Sequence, residues 1–182
     1  EVPSSKQNMI PYTNIKRTQA KKLAEMVNSG GYTSSLMFGI QWDLMLAFMQ
    51  NKGGVDESTL TTDSTNIGNY VDNKWSIINN KAKYYADGTW NDGSYTKEEE
   101  GAVLLTTGAS DSFAKMNIYD VAGNVFEWTL EGNSRDSSAG PMPCVSRGGY
   151  YFGNGAGYTA AVHGCVRVVD CGGGDGFRVT IY

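Results

Sequence analysis

Residues 117–132 read NIYDVAGNVFEWTLEG. Gly123-Asn124 predicts a tight turn, because these two residue types accept left-handed backbone at little cost. Alternation follows it, so a strand is expected over 125–130, with Phe126 and Trp128 on one face and Val125 and Glu127 on the other. Trp128 then belongs to the core, where a strand tryptophan usually packs. Asp120 and Glu127 place two carboxylates beside the turn's carbonyls. Such oxygens serve equally as acceptors for turn amides and as donors to a hard cation, and the residues alone leave both open.

Working outward, residues 14–28 (NIKRTQAKKLAEMVN) predict a surface helix with Ile15, Leu23, Met26 and Val27 near one face and Gly30-Gly31 as its stop. A second helix is expected after Ser34-Ser35 as caps. It would turn Met37, Ile40, Trp42, Leu44 and Phe48 inward and end at Asn51-Lys52-Gly53-Gly54. Residues 55–100 are polar and turn-rich and read as long loops, the triplet Glu98-Glu99-Glu100 being a solvated charge run without function. Short strands are expected at 102–107 (AVLLTT) and at the closing 177–182 (FRVTIY). The whole predicts one α+β domain over 1–182, with two early helices, many loops, a small antiparallel sheet drawn from the C-terminal third, and termini close together.

Composition narrows the function classes. A chain of 182 residues with formal charge -4 offers no basic footprint for nucleic acid or anionic lipid. No run is apolar for long enough to span a bilayer. Glu1-Val2-Pro3 is neither a start methionine nor the charged head of a signal peptide, so trimming of an upstream piece is expected. Cys144, Cys165 and Cys171 form no C-x-x-C pair and no disulfide framework, although a Cys165–Cys171 bridge stays open. The 23 glycines against 4 prolines suit a loop-rich mixed fold.

Two further blocks follow the opening one in order: SRGGYY at 146–151 and DGFRVTIY at 175–182. Together the three resemble the formylglycine-generating-enzyme (sulfatase-modifying) family, whose pattern runs G-[LI]-Y-D-M-x-G-N-V-x-E-W, R-G-G-S, G-F-R. The segment at 10–15 (IPYTNI) resembles the family's entry segment, and Gln41-Trp42 stands where the family has Glu-Trp. SLMFGIQW replaces the family's R-L-P-T-E-A-E-W, which places the chain on a divergent branch. The resemblance implies a C-type-lectin-like fold. It also implies a structural calcium ion held by Asp120, Gly123, Val125 and Glu127, the middle two through their carbonyls. Arg147 and Arg178 read as structural, their forked guanidinium groups tying loops to carbonyls or carboxylates.

The family's chemistry does not carry over. Its oxidases hold copper with two cysteines after R-G-G, at positions occupied here by Gly153 and Tyr158, and soft copper sites need thiolates. A related branch holds iron with three histidines. This chain has one, His163, so neither copper nor iron is expected. Ser146 sits in no G-x-S-x-G elbow. The alternative is a divergent oxygen-dependent metalloenzyme whose ligands have moved elsewhere.

Residues 150–175 read YYFGNGAGYTAAVHGCVRVVDCGGGD. None of the chain's 7 Met and 4 Trp, and none of its Lys, Glu or Gln, falls there. At the frequency found elsewhere in the chain about five or six would be expected. The codons of these five amino acids must end in A or G, so their joint absence points to codons ending in a pyrimidine. That pattern resembles retroelement-diversified variable proteins of phage tail tips and bacterial surfaces, in which adenines of a template are randomised between R-G-G and G-F-R. The resemblance implies fixed scaffold residues at Gly148, Gly149, Gly155, Ala160, Gly176, Phe177 and Arg178. It implies a hypervariable face made by Tyr150, Phe152, Gly153, Asn154, Ala156, Gly157, Tyr158, Val162, His163, Cys165, Val166, Arg167 and Asp170. Large, partly polar side chains spaced by Gly and Ala are what recognition surfaces use. A non-catalytic protein that binds a macromolecular target, a protein or a cell-surface glycan, on a virion or a bacterial surface is therefore expected. A plain Gly-rich loop, or a structural decoration domain, is the bland counterpart.

Overall fold

The computed structural model describes residues 2–27, 30–138, 140–170 and 172–182. Along the chain lie α1 (Arg17–Glu25), β1 (Ser34–Leu36), α2 (Gly39–Gly53), α3 (Glu57–Thr61), β2 (Trp75–Ile77), β3 (Lys83–Ala86), β4 (Thr89–Asp92), β5 (Tyr95–Lys97) and β6 (Leu104–Leu105). They are followed by β7 (Ala114–Lys115), β8 (Ile118–Tyr119), β9 (Phe126–Gly132), β10 (Asp136–Ser137), β11 (Gly140–Pro141), β12 (Cys144–Arg147), β13 (His163–Val166), β14 (Asp175–Phe177) and β15 (Val179–Ile181). The class is α+β, with few helices and small sheets.

The central sheet has the order β13-β12-β9-β14. It is mixed rather than antiparallel as expected, since β14 runs parallel to β9 with Asp175 opposite Phe126 and Phe177 opposite Trp128. The connection after β13 returns across the sheet instead of turning back as a hairpin, which leaves β14 parallel to β9. The closing 177–182 segment is consequently two strands. β14 joins the central sheet and β15 pairs with β1, with Arg178 at the break.

One face of the central sheet carries Trp128, Cys144, Leu130, Val166 and Phe177 against α1. Ala20 and Ala24, both fully buried, let the helix axis approach the sheet closely. The expected helix face is thereby corrected, because Met26 is exposed and Ile15 is buried just before the helix begins. The expected end at Asn28 lies outside the described residues. Trp128 is core as expected, its Nε1 donating to Ile15 O at 2.8 Å. Where β9 bulges, Arg17 of α1 donates to the carbonyls of Thr129 (2.7 Å) and Glu131 (3.1 Å).

α2 presents a different face from the expected one. Trp42, Leu46 and Met49 are buried, whereas Ile40 and Leu44 are 66% and 62% exposed and Phe48 is 44% exposed. The helix is apolar on all sides, so periodicity could not choose a face. Packing chose the one with the largest ring: Trp42 is fully buried and its Nε1 donates to Ala160 O at 3.0 Å. Ser34 and Ser35 are strand residues, not caps; the chain enters α2 at Phe38, whose N–H donates to Gln41 Oε1 (2.9 Å). Gly54, at φ 64°, ends the helix as anticipated.

Residues 55–100 hold more structure than loops. β3 and β4 form a hairpin over Asp87-Gly88, at φ 52° and 79°, the left-handed pair that a two-residue hairpin turn requires. With β2, β5 and β6 they enclose a second core of Ile77, Val103, Leu105 and Phe113. The expected strand at 102–107 shrinks to Leu104–Leu105. The segment before α1 lies beside the C-terminal segment, Asn14 N donating to Gly172 O at 3.1 Å.

Candidate binding face

The chain leaves β12 through Gly148 and Gly149, at φ 89° and 74°. A Cβ at Gly149 would stand 2.1 Å from Tyr158 O and one at Gly148 2.7 Å from Val121 O, so only glycine fits this exit. Beyond it the 150–162 loop is stapled to the body. Tyr151 is buried and its N–H donates to Asn124 O (3.0 Å). Val71 N donates to Gly153 O (3.0 Å), Ser64 N to Gly155 O (3.1 Å), Tyr70 Oη to Tyr158 O (2.7 Å) and Ala160 N to Ser64 Oγ (2.9 Å). Gly155 has no room for a side chain, its Cβ position lying 2.2 Å from Thr65 Oγ1. The backbone of an irregular loop is thus fixed while alternate side chains stay outside.

Those side chains converge. Tyr150 stacks on Phe126 of β9 at 4.8 Å between ring centroids and 22° between planes. Tyr158 stands edge-on to both, at 5.1 and 5.8 Å, and Phe152 lies 6.3 Å from Tyr150. Phe152 is 55% and Tyr158 36% exposed. Burial raises the Tyr150 hydroxyl pKa above its ordinary value. Beside them Asn154 Oδ1 accepts from Gly157 N (2.6 Å), closing a short loop whose tip exposes Asn154, Ala156 and Gly157. On β13, exposed His163 places Nδ1 3.0 Å from Glu131 Oε1, and Cys165 is half-buried. After the strand, Arg167 grips Asp170 with two bonds of 2.8 and 3.0 Å. Cys171 lies outside the described residues, and the Cys165–Cys171 bridge with it.

Two expected contact residues do not reach this surface. Gly153 is buried in the turn, and a Cβ there would meet the Tyr158 ring at 2.5 Å. Val166 points to the opposite side of β13 from Cys165 and packs in the core with Trp128 and Leu36. Val162 is half-buried. Sequence reasoning missed Phe126, outside the 150–175 segment yet in contact with both Tyr150 and Tyr158. It also missed Val168 and Val169, which are 45% and 64% exposed. The alternation of Phe126 with Trp128 gave the right face, but not that one end of it is open.

The residues assigned to calcium are arranged otherwise. Glu127 gives both carboxylate oxygens to Arg178, Oε2 to Nε and Oε1 to Nη2, each at 2.8 Å, and Arg178 Nη2 also donates to Tyr119 O (2.9 Å). Asp120, at φ 54°, accepts Gly108 N at 2.7 Å, and burial pushes its carboxyl up to about 6. Gly123 N donates to Gly148 O (2.6 Å), tying the turn to the R-G-G exit. Val125 is buried beside Leu104 and Tyr151. A guanidinium holds both oxygens of Glu127 and would repel a cation beside them, so Glu127 as placed does not fit calcium. Among the described residues no three His, Cys, Asp or Glu side chains cluster as a metal site. The turn is held instead by Asn124, whose amide exchanges hydrogen bonds with Leu105 N and O (3.0 and 3.2 Å).

Arg147 is fully buried, lies over the Trp42 ring at 5.9 Å, pairs with Asp43 and donates to Ala161 O (3.2 Å). It ties α2 to the loop, the structural part expected of it.

No family model matches this chain, and no curated protein matches it. Its structure is similar to that of Treponema denticola variable protein 1, with a TM-score of 0.52 and 17% sequence identity over 93% of this chain and 70% of that chain. The α+β architecture with small sheets is the fold the two share.

Proposed function

We propose that the chain is a non-catalytic recognition protein of the retroelement-diversified kind. It would use a C-type-lectin-like fold of the formylglycine-generating-enzyme type to present residues 150–175 to a macromolecular target, a protein or a cell-surface glycan. The observation that carries this reading is a coincidence of sequence and surface. The 150–175 segment, which contains no Lys, Glu, Gln, Met or Trp, is also one whose backbone is pinned while Tyr150, Phe152, Asn154 and Tyr158 stand together outside. Such a face tolerates replacement of its side chains without loss of the core. The fold shared with a variable protein supports the same reading.

Placement on a phage tail or a bacterial surface belongs to the proposal. No helix among the described residues is long and apolar enough to cross a membrane. Residue types support the non-catalytic reading: Gly153 and Tyr158 supply no thiolate, and the sole imidazole, His163, faces Glu131.

Sequencing the DNA around the gene tests the proposal. A nearby reverse-transcriptase gene and a near-copy of the 150–175 coding stretch, differing from it at adenines, is the expected result. Codons ending freely in A or G across the stretch, with no such copy, would sink it.

A further inference from the structure

Along α2 the side chains of Ile40, Leu44 and Phe48 stand one turn apart, 66%, 62% and 44% exposed. At about 100° per residue they form a single ridge on the side of the helix opposite to buried Trp42 and Met49. At the N-terminal end of the helix the rings of Phe38 and Tyr182 meet at 6.3 Å between centroids, 40% and 56% exposed. From residue 39 to residue 51 the only charged side chain is Asp43, and Asp43 is paired with Arg147. The ridge is therefore apolar and carries no uncompensated charge.

Its size and spacing decide what covers it. With about 150–250 Å² offered by each large side chain, these five leave on the order of 500 Å² of apolar surface open, near the upper end of what a monomer leaves bare. Homodimer interfaces are about 65% apolar, so a patch of this size corresponds to about 800 Å² per partner, the area that a stable dimer needs. The ridge also fits itself. Residues at i, i+4 and i+8 make the row that packs into the grooves of a like helix. With Leu44 on a twofold axis and the two helices antiparallel, Ile40 of each copy meets Phe48 of the other, because both stand one turn, about 6 Å, from Leu44. No like charges meet across that axis. An unlike partner is selected by complementary charge and polar contacts, and this ridge offers none.

We propose that two copies of the chain pair about a twofold axis through the Ile40–Leu44–Phe48 ridge of α2. The opposite side of the helix is the one that holds the 150–162 loop, Trp42 Nε1 donating to Ala160 O, so the ridge points away from the aromatic face and leaves it open on both copies. Two such faces on one particle raise avidity for a target that repeats. The pairing itself does not depend on how residues 150–175 function.

Sedimentation velocity of the parent chain over about 1–100 μM is expected to show a dimer, since interfaces of this area reach micromolar affinity or better. Leu44→Asp brings two carboxylates together at the axis and should give a monomer, as should Leu44→Lys with two ammonium groups. An equimolar mixture of these two variants should restore the dimer, because opposite charges then meet there. Phe152→Ala should leave the dimer unchanged. A parent that stays monomeric over the whole range overturns the pairing, whether the ridge then serves an unlike protein or, by co-flotation with phosphatidylcholine vesicles, a membrane surface. So does a dimer that survives Leu44→Asp, a mixture that stays monomeric, assembly that continues past the dimer, or a dimer that Phe152→Ala removes. Far-UV circular dichroism verifies that each variant is folded, and Ile40→Asp carries the test if Leu44→Asp is not.

Discussion

Phe126 of β9 lies stacked against Tyr150, centroid to centroid at 4.8 Å, so a scaffold residue forms the floor of a surface whose upper layer belongs to the compositionally biased segment. The ring pair fixes Tyr150 in one orientation and gives Tyr158 an edge to stand against. Rigid aromatic side chains lose little conformational entropy when they meet a partner, which is why such a floor suits a recognition face.

Truncating the upper layer should leave the fold intact. Phe152→Ala is expected to change unfolding free energy by no more than about 1 kcal/mol, as exposed side chains do. Phe126→Ala removes the floor and should cost about 1–2 kcal/mol, the worth of a half-buried ring and its aromatic neighbours. Urea denaturation gives both values. Phe152→Ala costing as much as a core truncation would mean that the ring cluster is interior packing, and the recognition face would be lost.

Trp128 sits on the same face of β9 as Phe126 but at its closed end, with its indole nitrogen bonded to Ile15 O. Trp128→Ala should cost on the order of 3–5 kcal/mol, through the cavity left among Leu36, Ala20 and Ala24. Denaturation of this variant beside Phe126→Ala measures how steeply burial falls along one strand face. Equal losses would show that the two ends of β9 are equally buried.

How much of this was readable beforehand follows from the range of each interaction. The 123–124 turn, the strand after it and the shared face of Phe126 and Trp128 depend on neighbours in sequence, and they stand as read. The face of α2 did not, because Ile40, Leu44 and Phe48 are as apolar as Trp42, Leu46 and Met49, and only the tertiary fit of Trp42 beneath Ala160 separates them. The hairpin at Asp87-Gly88 carried a local signal, the Asp-Gly pair, whose pairing of Tyr85 with Trp90 was obscured by the polar residues around it. Arg178 and Glu127 lie 51 positions apart, and nothing in either's surroundings announces that they meet. The 150–175 segment was found from its composition; which of its residues point outward, Cys165 but not Val166, needed the strand register.

The Glu127–Arg178 pair gives a test of the cation reading of this turn. Glu127 is buried, so Glu127→Gln leaves a guanidinium without its counter-charge and should cost about 2–4 kcal/mol. Because both oxygens already serve Arg178, the loss should be the same in millimolar calcium and in chelator. A loss confined to the calcium-containing sample would show that a cation replaces the ion pair and would reverse the fit argument.

Asp120 gives the pH dependence. Burial holds its folded-state pKa up at about 6, against an ordinary value of 3.8. Below pH 3.8 the carboxyl is protonated in both states and its burial is not opposed. Between pH 3.8 and 6 the unfolded chain gives up the proton while the folded chain keeps it, so this residue's contribution to stability is lost as pH rises and stays lost above pH 6. Asp120→Asn keeps an oxygen for Gly108 N, tolerates the left-handed backbone and removes the ionisation. Relative to the parent it should therefore gain on the order of 1–3 kcal/mol at pH 7.5 and nothing at pH 3.5. Urea denaturation of both proteins at the two pH values measures the difference. A gain at pH 3.5 equal to that at pH 7.5 would show that the effect is packing rather than ionisation, and a loss at pH 7.5 would show that the Asp120 charge is held favourably by Arg178 after all.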